Sequence, residues 1–196
     1  MLRFGFQMEF GPVSPLEVGV HVRSLYSVLT ESQTRQVLPA LEDDRRLLDL
    51  LKRQPLGRLE FSGNLPNQSW RGSYDLNSRD LVVNPFRDAD TYGKEFHPPE
   101  LPTVSEAATG LIEALQRTLY HELGHVVLDA GGPELQLQVR NLFRSRRAMP
   151  VSLRAAQNSL EYFCETFSAY RFEAVLADKD PNGYDMIEAI LRLVFK

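Results

Sequence analysis

One stretch constrains this chain more than any other: residues 119–129, LYHELGHVVLD. His121 and His125 stand four residues apart, with Glu122 directly after the first. For both imidazoles to meet one ion the segment must be helical, because there positions i and i+4 lie one above the other on one face. The flanks keep the same period. Leu111, Leu115, Thr118 and Leu119 precede the histidines at core spacing, and Val126 and Val127 follow them. The spacing predicts a helix over residues 103–130, with Ser105 as its N-cap and Gly131-Gly132-Pro133 as its stop. On such a helix two imidazoles can reach one Zn²⁺ at about 2.0–2.1 Å. Glu122, offset by one position, can reach the attacking water as general base. The plain alternative is two histidines satisfied on a helix surface. The chain has only four histidines, and two of them stand here.

A catalytic zinc needs a third protein ligand and one open position. Gly131 stands where a third histidine would follow six residues after the second, and His21 and His97 lie far upstream. The remaining source is an acidic residue on a later helix. Residues 158–174, NSLEYFCETFSAYRFEA, supply Glu161 and Glu165, four apart and so on one face, amid Tyr162, Phe163, Phe167 and Tyr170. One carboxylate can bind the metal while the other braces a histidine ligand. The competing reading is two glutamates that face solvent.

Elsewhere the period changes along the chain. Leu2, Phe4, Phe6, Met8 and Phe10 alternate with Arg3, Gly5, Gln7 and Glu9, which predicts a half-buried strand closed by Gly11-Pro12. Residues 17–29 begin strand-like and end at helical spacing. Residues 39–52 read as one helix with Leu41, Leu47, Leu48 and Leu51 on one side. Residues 58–61 read as a strand, and 70–74 with 80–84 as a hairpin around the turn DLNSR. Residues 85–102, containing HPPELP, read as a long irregular loop. Further helices are expected at 134–147, 152–176 and 183–195. Strands first and helices after predict an α+β domain over 1–196, strand-rich through 102 and helical from 103.

Composition enters as exclusion. A net charge of −4 offers no broad field for nucleic acid, which leaves Arg144, Arg146 and Arg147 as a local basic patch. The same arginines suit a solvated helix C-terminus. With Cys164 as its single cysteine the chain can form no internal disulfide. The start, MLRFGFQMEFGP, lacks a signal peptide's apolar core, and no run of 18 apolar residues predicts a membrane span. The expected place is the cytoplasm, with export without a cleaved signal as the alternative.

HELGH, then a helix, then NSLEYFCETF resembles the metalloprotease domain of anthrax lethal factor and the Pro-Pro endopeptidases. The likeness covers about residues 104–196, including the closing PNGYDMIEAILRLVF. It implies a zincin-like fold, with a mixed or antiparallel N-terminal sheet, the HExxH helix and a helical C-terminal half. These proteins carry an E-[FY]-F-A-E-x-F stretch that begins at the third ligand, and here it reads Glu161 to Phe167. The match makes Glu161 the ligand and Glu165 the acid that braces an imidazole. Two positions depart from the pattern. Arg154 stands seven residues before Glu161, where the family has a catalytic tyrosine, so the oxyanion donor becomes Arg154, or else Tyr120, Tyr74 or His97. Cys164 replaces the usual alanine, either as a small buried hydrophobe or as a thiolate able to close the open zinc position.

The resemblance further implies a protein or peptide substrate held as an extended strand, here by Trp70, Tyr74, Val82 and Asn84 of the hairpin. The expected activity is zinc-dependent endoproteolysis by a regulatory protease that cuts a repressor or partner inside the cell. An effector protease like lethal factor and a degenerate zincin that only binds are the two alternatives.

Overall fold

The computed structural model describes residues 6–7, 22–24, 37–42, 44–61, 70–84, 111–145 and 147–194. Most of the strand expected at 2–10, much of 17–29, the loop 85–102 with His97, the Ser105 cap, His21 and Arg146 lie outside the described residues. The described residues form an α+β structure, mostly helical with a small sheet, and they divide into two compact units. No helix among them is long and apolar enough to cross a membrane.

The first unit holds the strands, two short helices and residues 111–119. Its strands are β1 (Phe6–Gln7), β2 (Val22–Ser24), β3 (Arg58–Phe61), β4 (Gly72–Tyr74) and β5 (Asp80–Val83), in the order β1-β2-β3-β5-β4. β2, β3 and β5 run parallel to one another, while β1 and β4 flank them antiparallel, so the sheet is mixed. Leu59, Phe61, Leu81 and Val83 are fully buried on the central strands. The hairpin read from DLNSR is present, paired from Gly72↔Val83 to Tyr74↔Leu81. Asp75 makes its turn by accepting from the backbone N–H groups of Asn77 and Ser78, and Arg79 takes the left-handed conformation there (φ 58°). The helix expected over 39–52 is instead two, α1 (Pro39–Glu42) and α2 (Arg45–Arg53). The break has a local cause. Asp44 caps α2 by accepting from the Leu47 N–H, and an aspartate used as an N-cap cannot sit inside a helix. Leu41, Leu47, Leu48 and Leu51 are all buried as the spacing required.

The second unit is Tyr120–Val194 with flanking residues. Helix α3 (Leu111–Arg144) carries the histidines and is interrupted at Gly132, which has φ 70° and ψ −170°. The Gly-Gly-Pro stop therefore acts where expected, as a kink between two helical segments. The helix expected from 152 begins later, as α4 (Ser159–Phe172). Asn158 sets that start, its side chain accepting from the backbone N–H groups of Leu160 (2.9 Å) and Glu161 (3.0 Å). Residues 151–157 form turns instead. A short α5 (Leu176–Lys179) leads into α6 (Pro181–Val194). Tyr162 anchors the core of this unit with Val151, Ala155, Ala169 and Leu176, and its hydroxyl donates to Asp180 at 2.6 Å. Asp180 is fully buried and also accepts from the Met149 and Gly183 N–H groups, so its charge is satisfied on several sides. Tyr120 and Phe163 both stack on Phe167, joining α3 to α4.

Candidate metal centre

Two helices and one turn segment build the site, all within the second unit. α3 contributes His121, Glu122 and His125, α4 contributes Glu161, Cys164 and Glu165, and the turns before α4 contribute Ser152 and Arg154. The close approach of the helices depends on Gly124. A Cβ there would stand 2.9 Å from the Cys164 Cα and 3.1 Å from its Sγ, closer than side chains pack. Gly124→Ala must therefore push α4 away, at a cost of about 1–3 kcal/mol. The expected result is a lower urea midpoint together with reduced metal uptake. An unchanged midpoint would show that the helices are not held at this contact.

His121 lies at the centre. Its Nδ1 is 2.8 Å from Glu165 Oε1 and its Nε2 is 3.3 Å from Glu161 Oε2, and neither contact has hydrogen-bond geometry. Two ligand atoms on one tetrahedral ion at about 2.0–2.1 Å stand roughly 3.3–3.4 Å apart, so Nε2 and the Glu161 oxygen already have the spacing of a shared metal. His125 Nε2 is 4.0 Å from the other Glu161 oxygen. His121, His125 and Cys164 each offer a ligand atom, and these lie within 4.8 Å of one another, a group able to hold a metal ion.

Glu165 is braced in turn. Ser152 donates to its Oε2 at 3.0 Å, and the same hydroxyl accepts from the Ala155 N–H. Ser152 was not among the site residues expected from sequence. Its polar side chain at the presumed start of a helix suggested only a terminus, and the turn that aims it at Glu165 is a tertiary feature. Arg154 donates from Nε to Glu161 Oε2 at 2.5 Å. Glu122 is buried and its Oε1 makes no hydrogen bond. A buried carboxylate oxygen without a donor is costly, which makes Glu122 a candidate for chemistry or for a partner.

The charges agree with a cation site. Burial disfavours a charged His121, but the adjoining Glu161 and Glu165 carboxylates outweigh it and raise the imidazole to about 9. Burial, with the charge on His121 adding to it, lowers His125 to about 4. Glu161 drops to about 2 against its own burial, because His121 and Arg154 favour the anion. Burial lifts Glu122 to about 7. Burial, and then the nearby Glu161 and Glu122, keep the Cys164 thiol protonated well above its usual range. Two carboxylates thus favour a proton on His121, and the donor set of two imidazoles and a thiol could hold a metal ion.

The hairpin residues belong to the first unit. Trp70 is exposed and Tyr74 half-buried, whereas Val82 and Asn84 are buried. Asn84 donates to the Trp70 carbonyl at 3.1 Å, a contact internal to the hairpin. β4 stands at one end of the strand order. Tyr120 is buried, and its hydroxyl accepts from Arg171 at 3.4 Å. Arg144 and Arg147 are exposed, and Arg147 is tied to Asn182 at 3.0 Å. No family model matches this chain, and no curated protein matches it either.

Proposed function

We propose that the chain is a zinc-dependent endopeptidase of the zincin type, with His121, His125 and Glu161 as ligands and Glu122 as general base. The observation that carries this reading is the 3.3 Å spacing of His121 Nε2 and Glu161 Oε2, beside a buried Glu122 carboxylate oxygen that has no hydrogen bond. A bound zinc supplies Lewis acidity, polarising a peptide carbonyl and making a water acidic enough to attack at neutral pH. Glu122 takes the proton of the attacking water and passes it to the leaving amine. Glu165 and Ser152 hold the His121 ring in place. Strand β4, at one end of the strand order and preceded by the exposed Trp70, suits an extended peptide added to the sheet. A regulatory role, cutting a repressor or partner inside the cell, fits a chain with one cysteine.

The direct test is a cleavage-site profile of a proteome treated with the wild-type chain and with Glu122→Gln. New N-termini should appear with the wild type alone, and indistinguishable profiles would sink the reading.

Arg154 is assigned the oxyanion of the tetrahedral intermediate, through guanidinium nitrogens other than the Nε that binds Glu161. Loss of one such donor costs about 10²–10³ in kcat. Arg154→Ala at saturating zinc is expected to show that loss with KM little changed. An intact kcat would move the role to Tyr74 or His97, since Tyr120 is buried and engaged by Arg171.

A second reading draws on the Arg154–Glu161 pair. A guanidinium 2.5 Å from Glu161 can stand in for the cation, as in a degenerate zincin that only binds a partner. Metal analysis of the purified chain separates the two, because the binding module would carry none.

A further inference from the structure

We infer that Cys164 is a fourth protein ligand of this metal centre, competing for the open position and holding basal activity several-fold below that of the site with the thiolate displaced. The inference rests on the proposed zinc site and deepens it.

Three independent features of the geometry support it. The Cys164 sulfur and one ring nitrogen from each of His121 and His125 lie within 4.8 Å of one another, a separation that small rotations of partly exposed His125 can close. The sulfur also lies against α3 beside the residue before His125, since a Cβ on Gly124 would meet it at 3.1 Å. Finally, His121 is buried and neither of its ring nitrogens has a hydrogen bond, so the nitrogen near the sulfur is an unsatisfied ligand atom. Glu161 is one turn before Cys164 on α4, so carboxylate and sulfur approach the pocket from one face.

The coordination count gives the consequence. Catalytic zinc sites have three protein ligands and an open position, whereas four protein ligands make a closed structural site. With the sulfur bound, His121, His125, Glu161 and Cys164 leave no position for substrate, and basal activity comes from the fraction of molecules whose thiolate is displaced. Cys164 is fully buried, so displacement requires α4 to shift against α3. That contact is held by Gly124 and the Phe167 stacking, which the shift would have to disturb.

The experiment loads the full chain with Co²⁺ in place of zinc and records its absorption. One bound Co²⁺ with a sulfur-to-cobalt charge-transfer band in the near ultraviolet is expected. In Cys164→Ala the band should vanish while one metal per chain remains, and Zn²⁺ affinity should fall by at least about tenfold. Alanine is smaller than cysteine, so the helix contact tolerates it. Peptidase activity of zinc-loaded Cys164→Ala should rise several-fold over wild type. Cobalt bound by the wild type without the sulfur band would overturn this inference and leave the zinc site standing. A chain that binds no Co²⁺ at all would overturn both. A sulfur band with unchanged or lower activity in Cys164→Ala would overturn the restraint on basal activity.

Discussion

Replacing Glu122 by glutamine is expected to leave fold and zinc content intact while lowering peptide cleavage by about 10²–10⁴-fold. The side chain is buried, and its Oε1 has no hydrogen-bond donor to lose. Glutamine has nearly the same shape, so the packing around this buried side chain is kept. An amide also removes a buried charge, which argues for equal or higher thermal stability. What it cannot do is accept the proton of the attacking water. The check is a rate measurement alongside metal analysis and a melting curve. Residual cleavage above about a tenth of wild type, with zinc retained, would remove Glu122 from its role as base.

His121→Ala is expected to abolish stoichiometric zinc in protein purified without added metal. Loss of an outer partner typically weakens metal binding about 10–100-fold, and His121 is assigned as a ligand, so its effect should exceed that. The same substitution strips Glu165 of the imidazole 2.8 Å away and Glu161 of the one 3.3 Å away. Two half-buried carboxylates on one face of α4 then lose a shared neighbour, with Arg154 still paired to Glu161, so the variant should also melt earlier. Zinc measured at one per chain in a folded His121→Ala protein would rule out the ligand set.

Several features were legible before any coordinates because they depend on neighbours in sequence. The i, i+4 spacing of His121 and His125 needs only a helix, and Leu115, Leu119, Val126 and Val127 at core spacing supplied one; all four are buried. The Gly131-Gly132-Pro133 break and the Asp75 turn are likewise short-range chemistry, and both are present. The helix boundaries were less legible, because capping competes with periodicity. Asp44 splits the helix expected over 39–52, and Asn158 delays α4 by seven residues from the expected start at 152.

By itself, then, the sequence determined the α+β order, the shared face of His121 and His125 on α3 and the shared face of Glu161 and Glu165. All of these follow from the 3.6-residue period and local hydrogen bonding. Tertiary structure alone decided what meets across the helices. It placed Glu165 on His121 Nδ1 and Glu161 near Nε2, put Ser152 behind Glu165, and turned Arg154 back onto Glu161. It also brought Cys164 beside both histidines, through a contact that exists because Gly124 has no side chain. No period along one helix encodes the distance to another. That distance is set by which residues at the crossing are small enough to let two backbones approach.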